Sequence, residues 1–126
     1  MPGERILVVE DNAKNMKLFR DILDAKGYAT LEAGSGEDAV ELALAHVPDL
    51  VLMDIQLPGI DGLEALRRIR ADVRTSTLPV IALTAQAMEG DDERFLAAGF
   101  DAYISKPVNV IDLLATVARH CGNVER

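Results

Sequence analysis

The sequence of 126 residues has a single cysteine, Cys121, and no long apolar segment. One thiol can form neither an internal disulfide nor a cysteine metal cluster, which agrees with a reducing compartment. No apolar run approaches the roughly 18 residues that a membrane-spanning helix needs, and the N-terminal residues MPGER lack the apolar core of a signal peptide. We therefore expect a cytoplasmic protein without membrane insertion.

Positive charge is also scarce, since 13 Lys and Arg against 21 Asp and Glu leave a net charge of -8. This balance argues against a nucleic-acid face, and we expect no direct nucleic-acid partner. Hydrophobic residues make up 49% of the chain, and no low-complexity linker interrupts it. We expect residues 1–126 to form one globular domain with no output domain.

Short apolar segments alternate with segments of helical periodicity along the whole chain. The segment Leu50 to Met53 is apolar throughout, which is typical of a strand buried on both faces of a parallel sheet. Other strands are predicted at Arg5–Val9, Tyr28–Leu31, Leu78–Leu83 and Asp101–Ile104. Parallel strands need crossover helices, so the pattern predicts an α/β fold, a doubly wound five-stranded parallel sheet in a three-layer sandwich. The strand order 2-1-3-4-5 fits it best.

Apolar residues at helical spacing predict the buried helix faces. For the third helix we expect a stripe of Leu63, Leu66, Ile69 and Val73. For the last helix we expect Ile111, Leu114, Val117, Ala118 and Cys121. The fourth helix has Met88, Phe95 and Leu96 among acidic residues and is the least apolar.

Carboxylates follow two of the predicted strands. Glu10 and Asp11 come directly after the first strand, and Asp54 follows the third. In the predicted order these strands are neighbours, and ligands of such sheets bind beyond the carboxyl ends at this point. Thr84 and Lys106 follow the fourth and fifth strands, so we expect both to flank the same crevice.

A cluster of acidic side chains favours a divalent cation, and Mg²⁺ needs only one or two direct carboxylates. A cation would let a phosphoryl group approach Asp54, which could then act as a nucleophile and form an aspartyl phosphate. Lys106 would pair with the carboxylates before transfer and with a phosphoryl oxygen afterwards. Thr84 would donate its hydroxyl to another phosphoryl oxygen.

Four separated motifs resemble those of response-regulator receiver domains, which have a CheY-like, flavodoxin-like fold. They are Glu10-Asp11, LMDIQLPGIDG around Asp54, Thr84-Ala85, and YISKP at 103–107. The stretches VVEDNAKNMKLF and YISKP are most similar to stand-alone receivers of the DivK type. The resemblance implies that Asp54 is the phosphoacceptor and that Asp11, Asp54 and the backbone carbonyl of Gln56 bind Mg²⁺. It also implies that Glu10 acts through a metal-bound water.

The resemblance further implies that Thr84 and Lys106 bind the phosphoryl group and that Tyr103 is a switch aromatic. It implies a cis peptide bond between Lys106 and Pro107. The chain would be a signalling switch of a two-component phosphorelay rather than an enzyme. A sensor histidine kinase or histidine phosphotransfer protein would phosphorylate it. A downstream protein would bind the face formed by the helix from Gln86 to Ala98, the strand Ala102 to Ile104, and the final helix from Val110.

Three other interpretations compete on the same residues. An aspartyl-phosphate hydrolase needs a second acid two residues after its nucleophile, where this chain has Gln56. A flavodoxin-like mononucleotide binder lacks support, because Glu10-Asp11-Asn12 replaces the glycine-rich phosphate loop. A receiver that acts as a docking module without phosphorylation stays open, although the complete set of acids, Thr84 and Lys106 argues against it.

Overall fold

The structure, a computed structural model, describes residues 4–85 and 91–121. The five strands in these ranges form one parallel sheet in the order β2-β1-β3-β4-β5. The strands are β1 (Arg5–Val9), β2 (Ala29–Ala33), β3 (Leu50–Asp54), β4 (Val80–Thr84) and β5 (Ala102–Ser105). The helices are α1 (Ala13–Ala25), α2 (Gly36–His46), α3 (Gly62–Arg70), α4 (Asp91–Ala98) and α5 (Val110–Cys121). The predicted fold class and strand order are confirmed.

Both faces of the sheet are buried under helices, because successive residues of a strand point to opposite faces. Leu7 and Val51 belong to a core cluster that includes residues of α2, α3 and α4. Ile6 and Leu52 belong to a second cluster, which includes residues of α1 and α5. The result is the predicted three-layer arrangement. Within the described ranges, no helix combines the length and the apolarity needed to cross a bilayer.

The strand register places the functional strand ends side by side. Val9 lies opposite Met53, and Asp54 lies opposite Leu83, so the ends of β1, β3 and β4 share one edge. Thr84 in turn lies opposite Ser105, the residue before Lys106. The sheet therefore brings together the chain segments that contain all the predicted site residues.

Polar N-caps begin the helices that follow these strand ends. The Asn12 side chain accepts hydrogen bonds from the N–H groups of Lys14 and Asn15 at the start of α1. The Asp61 side chain accepts one from Glu64 N at the start of α3. Such caps satisfy N–H groups that have no partner within the helix. They also define where the chain turns away from the carboxyl edge of the sheet.

The predicted stripe of α3 is wrong at its last position. The helix ends at Arg70, and Val73 lies beyond it with 88% of its surface exposed. The chain turns there because the buried hydroxyl of Thr75 donates a hydrogen bond to Ile69 O. This bond caps a carbonyl of the last helical turn, so the segment after Arg70 folds back instead of continuing the helix.

The predicted stripe of α5 is also wrong in part. Ile111 and Ala118 are exposed, whereas Leu113, which the stripe omits, is fully buried. The buried face repeats every four residues, at Leu113, Val117 and Cys121. Apolar residues occur on more than one face of this helix, so apolarity alone does not identify the side that faces the sheet.

The predicted fourth helix lies partly outside the described residues, including its positions Gln86 and Met88. In the described part, Phe95 is buried and Leu96 is half exposed. Phe95 packs edge-on against Phe100, with ring centroids 6.1 Å apart. Among residues 93–98, Phe95 is the one buried side chain that joins α4 to the core, consistent with the low predicted apolarity of this helix.

Candidate functional site

An open cleft of about 680 Å³ lies at the carboxyl edge of the sheet. Its lining residues are Glu10, Asp11, Asp54, Ile55, Gln56, Leu57, Asp61 and Lys106. The predicted acidic residues, Gln56 and Lys106 are thus brought together. Thr84 lies at the same edge as the last residue of β4 and is buried.

Three carboxylates converge in this cleft. Glu10, Asp11 and Asp54 each have a carboxylate oxygen within 4.8 Å of the other two. Glu10 and Asp54 are only 3% and 5% exposed, whereas Asp11 lies on the exposed rim. Burial and mutual repulsion both disfavour such a group of negative charges unless positive charge compensates them. The site therefore attracts cations.

Lys106 provides compensating charge from the loop after β5. Its Nζ lies 2.8 Å from Asp54 Oδ2 and 3.1 Å from Glu10 Oε1. Burial alone would lower the pKa of Lys106, but hydrogen bonds and attraction to Asp54 and Glu10 outweigh it and raise that pKa above its ordinary value. The amine is charged at neutral pH, yet this one ammonium faces the converging carboxylates of Glu10, Asp11 and Asp54.

Backbone contacts hold Lys106 at this edge. Its N–H donates to Thr84 O at 2.7 Å, which continues the pairing of β4 and β5 by one residue. The following peptide bond, Lys106–Pro107, is cis. Thr84 and Lys106 are thereby tied together beside the Asp54 carboxylate.

The turn after Asp54 is equally constrained. Gln56 N donates to Asp54 Oδ1 at 3.0 Å, and Gly62 N donates to Ile55 O at 3.0 Å. A Cβ atom at position 62 would lie 2.7 Å from Asp54 O, so only glycine fits where α3 begins. The chain returns to the end of β3 within eight residues, and Gln56 remains at the cleft.

Glu10 is fixed by both its backbone and its side chain. Its N–H donates to Ala33 O at 3.0 Å, which extends the pairing of β1 with β2. Its Oε2 accepts from Asn12 N at 3.2 Å, and its Oε1 contacts Lys106. These contacts hold the Glu10 carboxylate beside Asp54 rather than in solvent.

The oxygen donors of the cleft fit a magnesium ion. Mg²⁺ prefers hard oxygen ligands and uses one or two carboxylates together with waters. Asp11, Asp54 and Gln56 line one cleft, and its carboxylates outnumber its single ammonium. Carboxylate, carbonyl and water ligands are the set that distinguishes this cation from softer metals.

Asp61 also lines the cleft, although it is not among the predicted site residues. Its Oδ1 accepts from Glu64 N at 2.9 Å, so the cap of α3 adds a carboxylate to the rim. The spacing Asp-x-x-Glu at Asp61 and Glu64 is a helix-start signal. Combined with the position of Asp54, that signal would have placed Asp61 near the site.

Tyr103 lies outside the cleft, half-buried on β5. Its ring packs against Phe95 of α4, with ring centroids 6.1 Å apart and planes tilted by 52°. Its neighbour across the sheet is Ala82 in β4. Tyr103 therefore connects α4 to the strand pair that ends at Thr84 and Ser105.

Comparison with known proteins assigns the chain to a family. The sequence profile of the family described as response regulator receiver domain matches residues 6–118. The chain belongs to this family. Receiver domains act in two-component signalling, where they interact with histidine kinases and downstream targets.

Individual receiver proteins are similar over nearly the whole chain. The polar-differentiation response regulator DivK of Brucella ovis is 48% identical over 118 residues, which are 94% of this chain and 96% of that protein. The receiver domain of a sensor histidine kinase from Pseudomonas aeruginosa is 39% identical with a TM-score of 0.88, covering 95% of this chain and 98% of that one. That receiver was solved with a magnesium ion coordinated in its active site cleft. The receiver domain of a histidine kinase from Syntrophus aciditrophicus is 32% identical, with a TM-score of 0.89 and coverage of 98% and 94%.

Proposed function

We propose that this receiver domain accepts a phosphoryl group on Asp54 from a sensor histidine kinase or a histidine phosphotransfer protein. The observation that supports the proposal most directly is the contact of Lys106 Nζ with Asp54 Oδ2, at 2.8 Å, in a cleft where the carboxylates of Glu10 and Asp11 converge with that of Asp54. A carboxylate held at a strand end beside a fixed ammonium has an acceptor oxygen and a counter-charge for an incoming phosphoryl group. The receiver family of the chain agrees with this role.

In the proposed reaction an Asp54 carboxylate oxygen attacks the phosphorus atom of a phosphohistidine. The new P–O bond forms as the P–N bond breaks, and the imidazole leaves with the electron pair of that bond. Lys106 then pairs with a phosphoryl oxygen, and the Thr84 hydroxyl donates to another. Asp11, Asp54 and the Gln56 carbonyl would hold Mg²⁺, with Glu10 acting through water, and a bound cation would neutralise charge on the phosphoryl oxygens.

The same proposal makes the chain a signalling switch and not an enzyme with outside substrates. Residues 1–126 would act as one receiver domain that assists only its own phosphorylation and dephosphorylation. The single cysteine supports a cytoplasmic location. The excess of acidic residues supports protein partners rather than nucleic acid.

We further propose that the downstream partner binds the face formed by the fourth helix, β5 and α5. Tyr103 lies at its centre, because its ring contacts Phe95 of α4 and borders an open groove of about 500 Å³ along α5. Inward movement of Thr84 toward a phosphoryl group would change the space beside the Tyr103 ring. Since Phe95 is a buried residue that joins α4 to the core, a shift of that ring would alter the position of the helix.

The test of phosphorylation uses acetyl phosphate, Mg²⁺ and intact mass. The wild-type chain should gain about 80 Da for one phosphoryl group. Asp54→Asn should not gain mass, and a chelator should abolish the gain in the wild type. The matched control is Asp38→Asn on the exposed surface of α2, which should be phosphorylated normally. Phosphorylated Asp54→Asn would reassign the acceptor, and a wild-type chain that never gains mass would favour the docking-module alternative.

A further inference from the structure

The loop from 55 to 61 connects β3 to α3 and includes Gln56, so its conformation matters for the cation site. Its base is held by the hydrogen bond from Ile55 N to Leu83 O at 2.9 Å and by the bond from Gly62 N to Ile55 O. The tip, at Gly59 and Ile60, lies away from this base and against the first turn of α2. The tip thus has a separate attachment.

Glu37 provides that attachment from α2. Its Oε2 accepts a hydrogen bond from Ile60 N at 3.2 Å, across 23 residues of sequence. A glycine in each segment, Gly36 in α2 and Gly59 in the loop, allows the two segments to approach this closely. A Cβ atom at Gly36 would lie 2.6 Å from Ile60 O, and one at Gly59 would lie 2.6 Å from Glu37 Oε2. Gly59 also has a φ of 73°, which other residues adopt only with strain.

We propose that Glu37 is a positioning residue for the cation site, acting through the tip of the 55–61 loop. This inference rests on the proposed function, because it assumes that Gln56 contributes to Mg²⁺ binding. With base and tip both attached, the loop samples fewer conformations before the ion arrives, so binding loses less conformational entropy. Releasing the tip should therefore weaken Mg²⁺ binding although Glu37 itself does not line the cleft.

A rival explanation is that Glu37 matters only through its charge, which would attract the cation at a distance. Two substitutions separate the explanations. Glu37→Gln removes the charge but keeps a side-chain oxygen of the same reach that can accept from Ile60 N. Glu37→Asp keeps the charge but is one methylene shorter and cannot make the bond from the same backbone position. If Glu37 positions the loop, only Glu37→Asp should weaken Mg²⁺ binding. If Glu37 acts through its charge, only Glu37→Gln should weaken it.

The experiment measures Mg²⁺ affinity of the unphosphorylated chain by titration of backbone amide chemical shifts. Glu37→Asp should weaken binding about threefold to tenfold, less than a residue bonded directly to a metal ligand. Glu37→Gln should stay within about twofold of wild type. Glu41→Gln is the matched control, since it removes one exposed negative charge a turn later on α2, and it should also stay within about twofold.

Hydrogen exchange of the Ile60 amide in the absence of metal gives a second readout. Exchange should be at least about tenfold faster in Glu37→Asp than in wild type, because the amide loses its acceptor. Unchanged Mg²⁺ affinity in Glu37→Asp, or a loss of more than about twofold in Glu37→Gln, would overturn the positioning role while leaving the proposed function intact. A wild-type chain that binds no Mg²⁺ would overturn the proposed function itself, and the role of Glu37 with it.

Discussion

The ammonium of Lys106 lies 2.8 Å from the Asp54 carboxylate, although 52 residues separate them in sequence. The contact joins the ends of β3 and β5 across β4, which lies between them in the sheet. Lys106 also neutralises part of the negative charge of the cleft, because the same ammonium contacts Glu10 at 3.1 Å. Any group that binds Asp54 must therefore compete with Lys106 or recruit it.

Lys106→Met should destabilise the chain by about 1–3 kcal/mol at neutral pH, because two buried carboxylates lose their partner. Mg²⁺ should still bind and should recover part of the loss. The pKa of Lys106 is raised above its ordinary value of 10.5, so its contribution is fully present below about pH 10.5 and is lost as pH rises through the folded-state pKa. Urea unfolding at several pH values checks this.

The control for that experiment is Lys17→Met. Lys17 pairs with Asp21 at 2.6 Å on the exposed surface of α1, and an exposed pair contributes little. Its loss should cost less than about 0.5 kcal/mol. Equal effects of the two substitutions would mean that the Lys106 contacts are no more than surface ion pairs.

A beryllofluoride mimic of the phosphoryl group should shift the ring signals of Tyr103 and leave those of Tyr28 in place. Tyr103 contacts α4, whereas Tyr28 packs with the second core cluster, under the opposite face of the sheet. These are the two tyrosines of the chain, so selective tyrosine labelling gives two sets of ring signals in a nuclear magnetic resonance spectrum. Ring signals of Tyr103 that stay in place at saturating beryllofluoride would refute the proposed output face.

Arg70→Met should cost about 2–3 kcal/mol of stability, because one guanidinium links three segments. Arg70 donates to Leu78 O, to Gly99 O at 2.9 Å and to Asp101 Oδ2 at 3.0 Å. Arg68→Met, two residues earlier, removes a more exposed arginine paired with Glu64 and should cost less than about 0.5 kcal/mol. Urea midpoints measure the stability of the two variants. Similar losses of stability would contradict the role of Arg70 in linking these segments.

Alkaline pH should destabilise the chain through Cys121. The residue is fully buried, and burial raises the pKa of its thiol from 9.0 to about 12. Its stabilising contribution is fully present below pH 9 and is lost as pH rises toward 12, because the unfolded chain ionises the thiol first. Thermal midpoints at pH 8 and 10.5 should therefore fall more for wild type than for Cys121→Val. Equal falls of the thermal midpoint in the two proteins would exclude the Cys121 thiol as a cause of the alkaline destabilisation.

The grouping of acidic residues at the carboxyl edge of the sheet was predictable, because the sequence patterns that indicate it are local. Asp54 ends the apolar strand β3 and Glu10 directly follows β1, so strand order alone brings the two residues together. The end of α3 was not predictable from apolar spacing, since it depends on the Thr75 hydroxyl reaching Ile69 O. The contact between Glu37 and Ile60 joins a helix and a loop whose approach requires the complete fold.

The exposed position of Val73 has a practical consequence for labelling. It lies in the turn between α3 and β4, so it follows the end of a helix that starts at the cleft and runs away from it. The native thiol of Cys121 is buried and protonated at neutral pH, and such thiols react slowly. A chain with Val73→Cys would accept a fluorophore or a surface tether at one site, leaving both the carboxylate cleft and the Tyr103 face open to partners.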